Sequence, residues 1–433
     1  MDDERDGDQL KYEVHTQSAV FGEFSDKYCE FMREKADDFE ALSLEMAVFY
    51  EQQKQTMDEL IRKLDFCQDL KVAIQRHCPT WTFDIIPTGS TLTGLGMKNS
   101  DLDATIHIPK AAKVFTKNGI LDKRKASLNI LQIVRRICQN DERMKDRVKQ
   151  NIQFVPAQIP ILRMESSDGI EVDLGVIVEQ FLSSLHNTFL TKHYVDFDNR
   201  FAPFCAIVKI WGEKSGVKNP KDGGFNSYAM VLLVTHFLQC GTSPPILPNL
   251  PQVFREQKFF ALSDTVFPTV VDFTAKLPEA LPRIAQNHSS VAELFMQFLH
   301  YFANFDFRKH YISISGACIR DRTTSEEPKV KAQRMKEVYI EDPFDEHNPG
   351  RTVRSLQEIR NIFRETLKKF DSKPTFPKLN DFFEKIEYEE SLSEFIEQDL
   401  INEEGSEESQ TFHDAMEEAE ENHDEYESEE DEY

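Results

Sequence analysis

The stretch "IPTGSTLTGLGMKNSDLDATIHI", Ile86 to Ile108, carries a Gly-Ser pair after a short apolar run, and ten residues separate Ser90 from Asp101-Leu102-Asp103. A third acid, Asp173, stands in "GIEVDLGV". In an extended chain, residues two apart point to one side. Asp101 and Asp103 then share a face with Thr105, while Leu102, Ala104, Ile106 and Ile108 fill the other. Asp173 lies opposite Ile170, Val172 and Leu174. If the two strands are neighbours, three carboxylates converge. Like charges that close repel and raise one another's pKa unless a divalent cation neutralises them. A few hard oxygen ligands suit Mg2+ (or Mn2+), which keeps its waters and also binds substrate phosphates. Two such ions can activate an attacking hydroxyl and stabilise a leaving pyrophosphate. Gly89 lets the backbone approach a phosphate, the turn after it points free N–H groups there, and Ser90 adds a hydroxyl. An isolated Asp-x-Asp usually marks a turn or a solvated strand end; the combination at this spacing is the signal.

Such a site needs strands and helices to hold it. Phe24 to about Arg76 reads as helix: Phe39, Leu42, Met46, Phe49 and Tyr50 recur at helical spacing and no Gly or Pro interrupts. Strands are expected over Thr82–Pro87, Ala104–Ile108, Asn151–Val155, Ile159–Met164 and Ile170–Val178, with a basic-faced helix over Ala126–Val148 between them. Strands interleaved with helices indicate an α/β sheet unit. After Gln180 the chain reads as mostly helical, most clearly over Phe201–Lys214, Ser227–Gln239, Val291–Phe305 and Leu356–Phe370. Pro244 to Pro251 reads as a loop, and "RDRTTSEEPKVKAQR" as a long one. No internal repeat is visible.

Composition narrows the setting. At 433 residues with 40% hydrophobic content, the chain is long enough for two or three domains with real cores. Cys29, Cys67, Cys78, Cys138, Cys205, Cys240 and Cys318 include no Cys-x-x-Cys pair, which argues for a reducing compartment and against a structural zinc site. The acidic start "MDDERDGDQL" is neither a signal nor a transit peptide. No apolar run approaches the roughly 20 residues of a membrane span. A soluble intracellular protein with no membrane partner is expected. The net charge of −25 is unevenly spread: Glu397 to Tyr433 holds 18 acids and no Lys or Arg, leaving −7 for the other 396 residues. That tail is expected to be disordered. Lys110 to Lys149, with 12 basic and 4 acidic residues, is locally +8. Its Lys125, Arg135, Arg136 and Arg143 are candidates for neutralising an RNA backbone, or else an ordinary solvated helix face.

Taken together, Gly89-Ser90, Asp101-Leu102-Asp103 and Asp173 resemble the signature of the DNA polymerase β-like nucleotidyltransferases. "AQIPIL…GIEVDL", "IVKIWGEKSGV", "NSYAMVLLVTHFLQ" and "YIEDPFDEHNPGRTV" are similar to motifs of the cytoplasmic template-independent poly(A)/poly(U) polymerase (terminal uridylyltransferase) branch. The resemblance covers roughly Phe39 to Phe370. It implies an α+β/α/β fold: a small mixed β-sheet nucleotidyltransferase domain flanked by helices, packed on a mostly helical central (poly(A)-polymerase-associated) domain. The corresponding segments are 1–23 (disordered), 24–78 (N-terminal helices), 79–185 (catalytic), 186–396 (central, with a nucleotide-recognition motif at 338–353) and 397–433 (acidic tail).

Carried onto this chain, the resemblance implies that Asp101, Asp103 and Asp173 bind the metals, with Asp173 also activating an RNA 3′-hydroxyl. It implies that Gly89, Ser90 and Ser227 contact a triphosphate, that Lys209 neutralises it, that Asn187 reads the ribose hydroxyls and that Tyr228 stacks on the base. The bland counterparts are a surface charge for Lys209, an N-cap for Ser227 and a core aromatic for Tyr228. UTP-selecting members often carry a second Lys four positions after the first; that place is Glu213 here, and Lys214 is the candidate substitute. His347 occupies the place of a His associated with uridine selectivity, in a loop one residue shorter; a solvent-facing loop His is the alternative. Asp342 and Arg351 are expected to shape that loop. UTP is thus the favoured nucleotide, with adenylyl or mixed uridine and guanosine transfer open. RNA 3′ ends are the expected acceptor. With no zinc knuckle, RNA-recognition motif or separate basic domain, RNA-targeting protein partners are expected to supply sequence preference. Cytoplasmic residence follows from the branch, with the nucleus left open. A catalytically idle scaffold is disfavoured because all three carboxylates are present.

Overall fold

A computed structural model describes residues 26–108, 116–117, 120–121, 123–155, 160–178, 183–256, 281, 284–344, 347–371 and 375–384. The segments 1–23 and 397–433, including the acidic tail, lie outside the described residues. In chain order the first elements are α1 (Asp26–Glu34), α2 (Ala36–Gln53) and α3 (Met57–His77). The helical run read from the periodicity is divided into these three. The break has a local cause: Thr56 caps α3, its side chain accepting from the Glu59 N–H while the Glu59 carboxylate accepts from the Thr56 N–H. This capping box needs no Gly or Pro.

Next come β1 (Asp84–Pro87), a one-turn helix α4 (Ser90–Thr93), β2 (Leu102–His107), a short hairpin β3 (Thr116–Lys117) and β4 (Ile120–Leu121), α5 (Lys123–Asn140), α6 (Met144–Arg147), β5 (Gln153–Val155), β6 (Ile161–Glu165) and β7 (Glu171–Ile177). The expected Ala126–Val148 helix is interrupted because the Asp141 carboxylate accepts from the N–H groups of Arg143 and Met144 and starts a new turn. The five larger strands form one sheet in the order β1-β2-β7-β6-β5. Only β2 and β7 run parallel, placing Asp103 directly beside Asp173. Leu102, Ala104, Ile106, Val172, Leu174 and Val176 are buried on one face of this pair. They share a core with Phe66, Leu70 and Ile74 of α3 and Ile130, Leu131 and Val134 of α5. Alternation leaves the carboxylates on the other face.

The chain continues through α7 (Ser183–Phe197), α8 (Phe201–Ser215), α9 (Ser227–His236), α10 (Leu250–Glu256), α11 (Val291–Asn304), β8 (His310–Ser313), β9 (Cys318–Asp321), α12 (Pro328–Lys331), β10 (Ile340–Glu341) and α13 (Leu356–Lys368). The helices pack around phenylalanines. Trp211 of α8 is fully buried between Phe295 and Phe363, and its indole N–H donates to Thr366 at 3.1 Å. A three-stranded sheet, β10-β8-β9, lies within the region read as mostly helical. Its strands of two to four residues are too short for a period-2 pattern to stand out. The segment read as a loop includes α12 and wraps around Arg322. That side chain is 2% exposed and donates to the carbonyls of Phe307, Gln333, Arg334, Lys336 and Glu337. All described residues belong to one unit, Met1–Glu384.

Candidate active site

Asp101, Asp103 and Asp173 come together at one end of the β2–β7 pair, with one carboxylate oxygen from each within 4.8 Å of the others. The strand register brings Asp173 to Asp103, and Asp101 lies just before β2. Gly89 sits over them with φ +64°, and a Cβ built there would lie 2.8 Å from Asp103 Oδ2. The glycine is thus required both by its backbone conformation and by the close approach of the carboxylate. Its N–H donates to Thr188 Oγ1 on α7 at 2.9 Å, and the preceding Thr88 N–H donates to the Asp103 carbonyl at 2.9 Å. Ser90 starts α4 at this point, half-buried.

The α2–α3 connection clamps both approaches to the site. Lys63, 2% exposed, donates to Gln55 Oε1 (2.7 Å), Ser100 Oγ (3.0 Å) and the Asp101 carbonyl (3.2 Å). Gln55 Nε2 reaches the Thr91 carbonyl of α4 at 3.1 Å, and the Glu59 carboxylate accepts from the Asn99 N–H at 3.1 Å. Arg163, beside Asp173 in the β6–β7 register, donates to both Asp173 oxygens at 2.7 and 2.6 Å. Such a bidentate pair fixes a carboxylate's orientation.

Burial first, then Asp101 and Asp173, push the Asp103 carboxyl up to about 7. Three converging hard oxygens under mutual repulsion fit a divalent cation. A carboxyl whose folded-state value exceeds its unfolded one destabilises the fold where it must ionise. The penalty is absent below about pH 4 and complete above about pH 7, at most ~4 kcal/mol. Mg2+ should therefore raise the melting temperature by several degrees at about pH 8 and by little at about pH 5, read by calorimetry. An equal rise at both would contradict this origin.

The remaining candidates line up from the helices. Lys209 on α8 faces the carboxylates: burial and then the nearby Lys218 cation push its ammonium down, while Asp101 and Asp103 pull partly the other way. Tyr228 Oη and Asn187 Nδ2 both donate to Asp342 Oδ2, each at 2.9 Å, and the Phe344 N–H donates to the other Asp342 oxygen. One carboxylate from the recognition segment thereby orients two side chains from two helices. Asn187 Oδ1 is a buried acceptor with no partner among the described residues. Ser227 is exposed at the start of α9, and the N-cap is its neighbour Asn226, whose Oδ1 accepts from the Ala229 N–H at 2.8 Å. The cap reading of Ser227 is thus replaced. His347 is half-buried, and the Arg351 guanidinium donates to its ring. Asn348 pins the loop, accepting from Ile340 and Gly350 and donating to Gln333 and Val338.

Two candidate groups are placed differently from expectation. Lys214 is exposed on the last turn of α8, five residues past Lys209 and hence on another face, while the Lys218 ammonium pairs with Glu213 at 2.7 Å. Among the basic residues, Lys125 and Arg136 are exposed, but Arg135 lies over the Phe154 ring at 5.4 Å. Arg143 pairs with Asp69 at 2.5 Å, and Arg147 meets the other Asp69 oxygen at 3.0 Å, tying α6 to α3. Lys63, Arg163 and Thr188 were not anticipated. Lys63 had a signal, since it shares the helical stripe of Phe66, Cys67 and Leu70; Arg163 had none without the strand pairing.

The chain matches the family profile "Poly(A) RNA polymerase, mitochondrial-like, central palm domain" over residues 42–196 and "Cid1 family poly A polymerase" over residues 290–348. It is 28% identical over 322 residues to the Poly(A) RNA polymerase gld-2 homolog B of Drosophila melanogaster, covering 70% of this chain and 22% of that one. Its fold is similar to the GLD-2 of the GLD-2/RNP-8 complex, at 26% identity and a TM-score of 0.61 over 80% of this chain and 99% of that one. It is equally similar in fold to Cid1, solved for its RNA terminal uridylyl transferase activity, at 24% identity and a TM-score of 0.61 over 81% of this chain and 100% of that one. A mixed sheet with three carboxylates on its open face, backed by a phenylalanine-rich helical region, defines a class, and the profiles match it. These matches, with the fold and the carboxylate site, support a DNA polymerase β-like nucleotidyltransferase of the poly(A)/poly(U) polymerase type. The chain spans between 22% and 63% of the length of these curated relatives.

Proposed function

We propose that this protein is a template-independent RNA 3′-terminal nucleotidyltransferase that adds uridylyl units from UTP and releases pyrophosphate. The observation that carries the reading is the carboxylate triad gathered under the Gly89 turn. Bound Mg2+ or Mn2+ at Asp101, Asp103 and Asp173 would supply Lewis-acid activation and neutralise the leaving pyrophosphate. The chain's own residues do the rest. Asp173, oriented by Arg163, accepts the proton of the RNA 3′-hydroxyl as its oxygen attacks the α-phosphorus. Lys209 and the hydroxyls of Ser90 and Ser227 hold the triphosphate, with Gly89 keeping the backbone close. Asn187 Oδ1, without a partner among the described residues, accepts from a ribose hydroxyl and so favours ribonucleotides. Tyr228, held by Asp342, offers its ring to the base. Lys125 and Arg136 are the basic side chains best exposed to an RNA backbone, whereas Arg135 and Arg143 serve mainly the fold.

Uridine selection rests on His347. Arg351 holds the ring from the loop's far side, and an imidazole N–H suits a carbonyl on the base edge and not an amino group. A second reading, poly(A) addition, is favoured by the names of the relatives, which are poly(A) RNA polymerases. Extension of a labelled oligoribonucleotide with Mg2+ and each NTP separately decides between them. We expect UTP to be used best. His347→Ala should lower the UTP-over-ATP preference by about tenfold, since one base-edge hydrogen bond is at stake. Unchanged selectivity would remove the base-reading role, and ATP preference in the wild type would favour the second reading. We further propose catalysis within 79–185, nucleotide recognition within 338–353, a cytoplasmic setting and RNA-targeting protein partners. The last agrees with the complex that GLD-2 forms with RNP-8. Among the described residues no helix is long and apolar enough to cross a membrane.

A further inference from the structure

The β2–β7 register begins at Leu102 beside Val172, so Asp103 is held inside the ladder while Asp101 stands one residue outside it. What fixes Asp101 therefore comes from elsewhere. The loop leading into it is stitched to the α2–α3 corner: the Gln55 N–H donates to the Gly96 carbonyl at 2.8 Å and the Lys98 N–H to the Gln53 carbonyl at 2.7 Å. The Asn99 N–H donates to Glu59, which also closes the capping box with Thr56. The last tie is Lys63, 2% exposed, whose ammonium donates to Ser100 Oγ and to the Asp101 carbonyl. Its third bond goes to Gln55 Oε1, and Gln55 in turn donates to the Thr91 carbonyl of α4. One buried ammonium thus spans the Asp101 arm and the turn that carries Ser90.

All three acceptors of Lys63 are uncharged, and among the described residues it forms no ion pair. Burying an ammonium in this way is costly, and an aliphatic residue would fill the stripe it shares with Phe66, Cys67 and Leu70 at less cost. What an aliphatic residue could not supply is the charge-assisted bond to the Asp101 carbonyl. A carbonyl lies in its peptide plane, so that bond sets the plane between Asp101 and Leu102. It thereby sets the direction in which the Asp101 side chain leaves the backbone. We infer that Lys63 is a positioning residue for the metal site: it does for Asp101 what the β2–β7 register does for Asp103 and what Arg163 does for Asp173. The inference rests on the nucleotidyltransferase reading and deepens it, since a side chain of α3 closed off from solvent governs how a metal ligand is presented.

The test is Mn2+ uptake by the full chain, read from the electron paramagnetic resonance signal of the free ion. Uptake that is lost in Asp103→Asn belongs to the carboxylate triad, which separates it from ions held by other acids. Lys63→Met, of similar length without the donor, should weaken that uptake by about tenfold, as for other residues that orient a metal ligand. Its turnover should fall at low Mn2+ and return to within about threefold of wild type at saturating Mn2+, because the defect lies in holding the ion. Leu70→Ala opens a cavity under the same helix and should lower the melting temperature, yet leave uptake within about twofold. Arg62→Ala removes an exposed cation paired with Asp168 and should also stay within about twofold. Unchanged uptake in Lys63→Met overturns the role of Lys63, as does an equal loss in Leu70→Ala or a turnover that saturating Mn2+ does not restore. Should Lys63→Met fail to fold, Ser100→Ala decides. It removes one of the three acceptors and should weaken uptake by about threefold, and no change overturns the inference. A wild type that takes up no more Mn2+ than Asp103→Asn overturns the metal assignment, and with it the nucleotidyltransferase reading.

Discussion

Asp103→Asn should lower nucleotide addition by at least ~1,000-fold while raising the melting temperature at neutral pH. The two effects share one cause. Asp103 is the central member of the carboxylate triad, and burial with two like-charged neighbours pushes its carboxyl up to about 7. An amide of the same size removes the cost of burying a charge and the repulsion from its neighbours, together worth up to ~4 kcal/mol above pH 7 and nothing below about pH 4. It also removes the charge that would hold a divalent cation, so the stabilisation by Mg2+ should disappear. Asp101→Ala should cost turnover comparably and leave RNA binding almost intact, since the exposed basic side chains are elsewhere. Steady-state kinetics beside calorimetry on the same preparation measures both effects. Retained turnover would contradict the metal assignment, and a melting temperature several degrees lower would contradict the account of repulsion.

Gly89→Ala should be nearly as severe for turnover, at about 100-fold or more, for a steric reason. The residue's φ of +64° is one that L side chains rarely adopt, and the new methyl would sit 2.8 Å from Asp103 Oδ2. Either Asp103 moves or the turn does, and the turn is held by the Gly89 N–H bond to Thr188 and the Gln55 bond to Thr91. The stability cost should be about 1–3 kcal/mol, typical of a non-glycine residue in such a conformation. A denaturant melt reads the cost, and Mg2+-dependent turnover reads the displaced carboxylate. Near-wild-type turnover would show that the close approach is slack. Thr188→Val, which keeps the shape and removes the acceptor, is the milder companion and leaves the conformation at Gly89 allowed.

How much was readable beforehand depended on whether a signal was local. Leu102, Ala104 and Ile106 alternate with Asp103 and Thr105 along one short strand, and that alternation places the acid away from the core whatever the topology. Gly89 precedes Ser90 directly, so their turn was readable too. The Arg163–Asp173 pair joins residues on two antiparallel strands, and only the β6–β7 register brings them opposite each other. Thr56-Met57-Asp58-Glu59 contained a capping-box pattern, yet the uninterrupted helical periodicity around it hid the break. The Lys218–Glu213 pair turned on one left-handed glycine, Gly216, whose effect cannot be read from spacing along a helix.

The order of residues by itself determined the chemistry available here: which side chains are acids, which face each takes along its own strand or helix, and where glycine is needed. Those properties follow from backbone geometry repeating over two or four residues, so a window of a few positions contains them. The tertiary structure alone decided which of these groups meet. Asp173 joins Asp103 because β7 lies parallel to β2, Asn187 and Tyr228 converge on Asp342 across more than a hundred residues, and Lys218 folds back onto Glu213. Such meetings depend on how whole cores pack, and packing is a property of the entire folded chain.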